Sequence, residues 1–453
     1  MAVSFSLHEL LLDHWHALYA RSGAPASLTW TASVLALSLA GLLWTVCRKA
    51  GARAGAARNV KHIPIGANGR AAAVCPPEQL KDDLNGGFAN AYALEHESTV
   101  PFDVGDVRVS KILMHPIKSC RGTSLQEARY TPEGLENDRK WCIIEADSHA
   151  IITAREVSKM VLITPRVELD ATSPFGGRLV ISFPADSGCE TFAIPLNPTR
   201  DVLADWPMIE DCTMFGKVFV DGYVVSATLS DSDSVPARTP SEILSDYFGR
   251  AVHLVMKGPR ARPCPPTQAF PDLRETAAFQ DGYPFLVASE ESLEEVRRVV
   301  SAYAQDESPE GRIGGIDRER WRAGGVEIER FRPNIVLKGS GVPFAEDMWR
   351  KIRIHPASDS TSDSASPVEQ DEDARTFTLV SKCTRCLLPN VDTTTGTRDA
   401  AVPYKVLLKF RRNKDPARMT KPCFGCNAVV GGEGVVRVGD RIEVLQWASG
   451  IGV

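Results

Sequence analysis

Cys383 and Cys386 flank a threonine and an arginine in the run Lys382-Cys383-Thr384-Arg385-Cys386, and a Thr/Gly-rich turn follows, Val391-Asp392-Thr393-Thr394-Thr395-Gly396. A cation beside a thiol favours the thiolate, the form that binds soft metals and attacks electrophiles, so Arg385 is expected to lower the pKa of its neighbours. Cys423 and Cys426 repeat the CxxC spacing. Two such pairs, Cys383/Cys386 and Cys423/Cys426, are the layout of a four-thiolate zinc site. The 36 residues between Cys386 and Cys423 exceed the roughly 15–20 of a zinc ribbon, and a large domain needs no metal to fold. In a second reading, one cysteine is the only protein ligand of a cofactor metal. Large redox cofactors carry phosphate, so that reading requires anion-binding groups elsewhere in the chain.

Three segments offer them. His115-Pro116-Ile117-Lys118-Ser119-Cys120-Arg121-Gly122 sets a cation, a hydroxyl and a glycine in a loop after a strand-like run, and Lys, Ser and backbone amides suit phosphate. An ordinary basic turn reads the same way. In Asn137-Asp138-Arg139-Lys140-Trp141, Arg139 can either grip a phosphate bidentately or pair with Asp138. Phe331-Arg332-Pro333-Asn334 combines a rigid donor fork, a fixed backbone and an amide that both donates and accepts. This combination suits a heterocycle edge near a phosphate, or simply a turn closing into a strand. For Asp392, an Asx turn is the stronger reading than proton delivery.

The elements that must position these residues are mostly strands. Short β-like runs (VRVSKILMHP, RKWCIIEAD, MVLITPRVEL, RLVISFP, KVFVDGYVV, AVHLVMKG) are separated by Gly, Pro, Asp and Asn, the spacing of a barrel or sandwich. One clear helix follows Ser289, with Ser289 and Ser292 as an incomplete capping box and Glu290 and Glu291 in the first turn. The closing VVRVGDRIEVLQW reads as a hairpin turning at Gly439-Asp440. Residues 357–374 are Ser/Asp/Glu-dense and are expected to form a disordered insertion.

The 453 residues leave room for two or three domains, and 43% hydrophobic with 24% charged residues is ordinary for a globular protein. A formal net charge of −5 gives no reason to expect a nucleic-acid partner. The remaining cysteines are scattered singly and the total of 11 is odd, which points to a reducing compartment. Residues 28–47 (LTWTASVLALSLAGLLWTVC) carry no charge and have tryptophans near both ends. Such a run is long enough to cross a ~30 Å hydrocarbon core. Arg48, Lys49, Arg53, Arg58 and Lys61 follow it, so the positive-inside bias sets the C-terminal body in the cytosol and residues 1–27 on the other side. Residues 48–105 read as a flexible tether.

Taken in order, HPIKSCRG, GLENDRKW, ITAR (Ile152 to Arg155), YPFLVASEESL, FRPNIVLKG, CTRCLLPNVDTTTG and VRVGDRIEVL resemble the MOSC-domain molybdenum enzymes, and within them the mitochondrial amidoxime reducing component. The resemblance spans Val107 to Trp447. It implies a mainly β protein with some α: a MOSC N-terminal β-barrel-like domain over 106–200 and a β-barrel MOSC domain over 201–453, behind the single transmembrane helix. It also implies a molybdenum-molybdopterin cofactor, with Cys386 as the catalytic thiolate on the metal. Lys118, Ser119, Arg139, Arg332 and Asn334 match the positions that hold the pterin and its phosphate, and Thr384 a backbone contact beside the ligand.

The implied reaction is reduction of N-hydroxylated compounds, of amidoxime or hydroxylamine type, at the mitochondrial outer membrane; the endoplasmic reticulum fits the topology equally. No dinucleotide fingerprint is evident, and the resemblance implies electrons from a cytochrome-b5-type haem protein and its flavin reductase. The chain departs from the family pattern at Gly282-Tyr283, at Asp392-Thr393-Thr394-Thr395-Gly396 and at Asn427. Two other classes stay open: a molybdenum-cofactor carrier or sulfuration protein, without the pyridoxal-lysine domain of the sulfurases, and a membrane-tethered, zinc-stabilised binding module.

Overall fold

The structure, a computed structural model, describes residues 104–229, 238–309, 311–357 and 372–449. The apolar run 28–47, the segment before it, almost all of the 48–105 tether and residues 358–371 of the acidic insertion lie outside these. Among the described residues no helix is long and apolar enough to cross a membrane.

Strand-forming runs rich in Val, Ile and Phe assemble into a sheet of eight strands that closes on itself. Around the ring the order is Ile335–Lys338, Phe285–Ser289, Cys423–Val430, Thr376–Thr384, Trp349–His355, Arg441–Trp447 and Arg108–Met114, which pairs back onto Ile335–Lys338. Thr123–Leu125 hangs outside as an extra strand, so the barrel proper has seven. The pair Phe285–Ser289 and Ile335–Lys338 is parallel and therefore needs a crossover; the helix Glu290–Gln305 lies within it. The barrel interior is filled by Tyr130, Phe285, Trp349, Ile352 and Phe377. Edge-to-face ring contacts at 5.1 to 6.3 Å tie three of them together, and burying each such ring stabilises the fold by about 1.5–3 kcal/mol.

Helix Glu290–Gln305 lays Leu293, Val296, Val299 and Val300 on a layer formed by Trp321, Phe331, Phe344, Val406, Leu407 and Phe424. The cap expected at its start is completed from far away in sequence. Ser289 Oγ accepts from the Ser292 amide at 3.2 Å, and both hydroxyls donate to the buried Glu346 carboxylate.

Among the described residues, a small sheet of Gly434–Arg437, Glu127–Thr131 and Gly134–Leu135 and two further sheets complete the structure. Trp141–Glu145, Val252–Lys257, Val218–Val224 and Met208–Met214 form one, and Thr164–Leu169, Gly177–Ser182 and Phe192–Pro195 the other. Helix Pro240–Phe248 packs Ile243, Leu244 and Tyr247 into their core. Strands are therefore exchanged between the two halves: Arg108–Met114 belongs to the barrel, while Met208–Met214 through Val252–Lys257 extend the sheet begun at Trp141.

The terminal hairpin expectation is corrected. The chain does turn at Gly439, with φ +96°, but Gly434–Arg437 pairs with Glu127–Thr131 and Arg441–Trp447 pairs with Trp349–His355. The two runs belong to different sheets, each pairing with a strand distant in the sequence.

Candidate functional site

The loop after Arg108–Met114 bends through Ser119 in the left-handed region, φ +68°. Lys118 is 3% exposed; its Nζ donates to Phe279 O at 2.6 Å and pairs with Asp281. Burial lowers its pKa, against the pull of Asp281. Gly122 is required where it stands, because a Cβ there would come within 2.5 Å of the His115 imidazole. In the second loop Asn137 and Arg139 are also left-handed, at φ +67° and +49°. Arg139 does pair with Asp138, at 2.6 Å, and its other terminal nitrogen donates to Arg332 O at 3.0 Å. Burial alone would raise the Asp138 pKa, but Arg139 and His115 bring it down to about 2.

Arg332, at φ +58°, forms the third loop. Its Nη1 donates to Cys120 O at 2.6 Å, while Nη2 is buried without a partner. Burial, with Arg139 adding repulsion, lowers its pKa to about 9. Bulky residues in the left-handed region are uncommon and costly, and they gather at functional sites. Here Ser119, Asn137, Arg139 and Arg332 all adopt it, and Arg332 links the loops through its contacts with Arg139 and Cys120. Asn334 is different from the expectation. It is buried, its Oδ1 accepts from the Leu286 amide and its Nδ2 donates to Leu113 O. Through these two bonds it fixes the strand beneath Arg332.

The thiol segment joins this cluster through two contacts. Arg385 Nη2 donates to Phe331 O at 2.7 Å, and Arg121 Nη2 to Thr393 O at 2.5 Å. Cys386 is partly exposed, and its Sγ accepts from the Leu388 amide at 3.5 Å at the start of a short 3-10 turn. Thr384 Oγ1 accepts from Arg418 Nη1 at 2.9 Å. Arg385 does reach a thiol, with Nη1 3.0 Å from Cys383 Sγ. Burial outweighs it all the same, and the Cys383 pKa is raised rather than lowered.

The four-cysteine zinc site is not formed. Among the described residues no group of three or more Cys, His, Asp or Glu side chains is arranged to hold a metal ion. The register sets Lys382 opposite Cys426. Cys426 Sγ is buried against Glu346 O and Asp347, far from the strand end that carries Cys386. Burial pushes the Cys423 thiol up to about 12.

Asp392 has the turn role. Its Oδ1 accepts from the Thr394 and Thr395 amides at 2.9 and 3.0 Å, and its Oδ2 accepts from Arg320 and Arg330, both at 2.6 Å. Sequence reasoning missed three neighbours. Arg262, 5% exposed, donates to Ala278 O and keeps Nη2 buried and unpartnered. Asp281 answers Lys118. Phe215, left-handed at φ +56°, holds its ring 5.4 Å from Lys118 Nζ and 4.8 Å from the Arg155 guanidinium. The only signal was an aromatic beside Gly216 at a hairpin tip, where Asn or Gly is usual.

Residues 106–213 match the family model of the MOSC N-terminal beta barrel domain, and residues 274–443 that of the MOSC domain. The chain is a MOSC-domain protein. Two of its relatives are the mitochondrial amidoxime-reducing component 1 of Mus musculus, 29% identical, and the mitochondrial amidoxime reducing component 2 of Rattus norvegicus, 28% identical. In each case the match covers 74% of this chain and 82% of the relative. The molybdenum cofactor sulfurase of Oryza sativa subsp. japonica is 25% identical over 72% of this chain but only 34% of its own length. This MOSC chain thus carries the Lys118 and Arg139 loops in the first matched segment, and the Arg332 loop and the thiol segment in the second.

Proposed function

We propose that this chain is a membrane-anchored molybdenum-cofactor oxidoreductase that reduces N-hydroxylated substrates of amidoxime or hydroxylamine type. The observation that carries the reading is the convergence of Lys118, Ser119, Arg139 and Arg332 on one cluster tied by hydrogen bonds to the Cys386 segment. The names of the amidoxime-reducing relatives support it.

The residues fit a phosphate-bearing cofactor. Lys118, Arg139, Arg155, Arg262 and Arg332 stand against Asp138 and Asp281, and the buried Arg332 Nη2 and Arg262 Nη2 have no partner among the described residues. Such donors cost free energy unless a ligand or water receives them. Cys386 would hold the metal through sulfur, with the Leu388 amide stabilising the thiolate. Lys118, Arg139, Arg262 and Arg332 would neutralise the phosphate, and Ser119 and Thr384 would border it. When bound, the cofactor would supply two-electron oxygen removal, while the protein binds, orients and excludes water.

The overall change is cleavage of one N–O bond, with two electrons and two protons consumed and one water released. Asp392 is held ionised by its amide donors and arginines, which commits it to the turn and not to proton delivery. Electrons would come from a cytochrome-b5-type haem protein and its flavin reductase. Residues 28–47 would anchor the chain in the mitochondrial outer membrane.

A second reading, a cofactor carrier or sulfuration protein, is favoured by the sulfurase match alone. The test is metal and pterin analysis of purified full-length protein, followed by amidoxime reduction with a chemical electron donor. Stoichiometric molybdenum and turnover are expected. Zinc without molybdenum or pterin would overturn the proposal; molybdenum without turnover would favour the carrier. Molybdenum content unaffected by Cys386→Ala would refute the ligand assignment.

A further inference from the structure

Residues 404–422 hold seven Lys and Arg against one Asp, on a chain whose formal net charge is −5. The segment runs from helix Tyr404–Phe410 into the strand Cys423–Val430. Arg411 is buried against Asp347, but Lys409, Arg412, Arg418 and Lys421 are exposed. The loop is fastened to the thiol segment: the Arg385 amide donates to Pro422 O at 2.7 Å, and Arg418 reaches Thr384. Each of these two joined segments also exposes a large apolar side chain. Leu387, next to Cys386, is 46% exposed, and Met419 is 40% exposed. A cationic rim with a small apolar centre suits a transient protein contact, in which charge steers the encounter and limited apolar area keeps the dwell time short.

We propose that this rim docks an acidic one-electron donor protein, with carboxylates around its exposed redox edge, against the Cys386 segment. The proposal rests on the reductase reading above. Each N–O bond cleaved takes two electrons and two protons and releases one water. A ferrous haem protein must therefore dock twice per turnover, leaving as ferric each time, and a weak, salt-sensitive contact allows that exchange. Anionic lipid would attract the same cations, but a bilayer over this face would cover the segment that the substrate must reach.

The test compares cofactor-loaded full-length protein with the variant K409E/R412E/K421E, which leaves the candidate site untouched. The donors are an acidic cytochrome-b5-type haem protein kept reduced by its flavin reductase, and dithionite-reduced methyl viologen, which needs no docking. The expected result is a fall of about tenfold in kcat/KM for the haem protein with a flattened salt dependence, and an unchanged viologen rate. The neutral variant K409Q/R412Q/K421Q is expected to fall between. Unchanged haem-protein kinetics would overturn the proposal. So would an equal loss with both donors, or a wild-type rate insensitive to salt. Loss of sedimentation with phosphatidylserine vesicles while haem-protein kinetics stay intact would assign the rim to the membrane instead. If neither donor drives any substrate, the reductase reading fails separately. Docking is then decided by titrating the haem protein into wild type and variant, where equal affinity overturns it.

Discussion

Arg332 shows what one residue must do here. Its guanidinium lies on the Cys120 carbonyl from a left-handed backbone, and Nη2 faces no acceptor among the described residues. Lysine would offer a point charge without the fork, so it cannot hold the loop and a ligand together. Arg332→Lys is expected to lower pterin retained per protein about tenfold, the scale of one lost charge-assisted hydrogen bond, with little change in thermal midpoint. Unchanged retention on gel filtration would refute the role. The two adjacent thiols separate in the same way. Both are partly exposed, but the Cys383 thiol is raised in pKa and engaged by Arg385, whereas the Cys386 sulfur accepts from a backbone amide. Cys383→Ser should keep molybdenum, and Cys386→Ser should lose it, by metal analysis of both proteins.

At the scale of elements, the long helix Glu290–Gln305 is capped by a carboxyl from a different segment. Glu346 is fully buried and receives both serine hydroxyls; burial, with Asp347 adding to it, raises its pKa from 4.5 to about 7. A raised acid pKa means that the folded state keeps a proton which the unfolded state releases. Its contribution is therefore complete below pH 4.5 and is lost as the pH rises from 4.5 to about 7. The loss is on the order of 3 kcal/mol. Glu346→Gln removes that dependence while keeping an acceptor for the serines. Urea denaturation at pH 5 and pH 8 checks it: wild type should lose stability relative to the variant at the higher pH. A constant difference between the two proteins would rule out the titration.

The whole molecule is held together by a strand that arrives early. Arg108–Met114 pairs with Ile335–Lys338 and meets Arg441 on its other side, so it completes a barrel whose other six strands lie beyond residue 284. Without it, the interior loses Val109 and Ile112, both fully buried, at a cost of about 2–5 kcal/mol for each large apolar side chain. An edge of unpaired amides is also exposed. A fragment of residues 201–453 is expected to lack a cooperative thermal transition by circular dichroism. Adding residues 104–200 in trans should restore protease resistance. A cooperative transition of the shorter fragment alone would show that the closure is dispensable.

Much of this was legible in residue order. Alternating apolar runs specify strands, Ser289 with two glutamates specifies a helix start, and Asp392 before Thr-Thr-Thr-Gly specifies an Asx turn, because those signals act over a few residues. The order of the seven motifs marked the family, and the loops carrying Lys118, Arg139 and Arg332 were singled out from residue type alone. What the tertiary structure decided depends on long-range packing. Burial reverses the expected effect of Arg385 on Cys383, and strand register sends Cys426 away from Cys386. Backbone partners from Leu113 and Leu286 consume Asn334, and hairpin geometry brings Phe215 over Lys118. Residue spacing determined which groups this chain has for chemistry, while solvent exclusion and strand pairing determined which of them are free to use it.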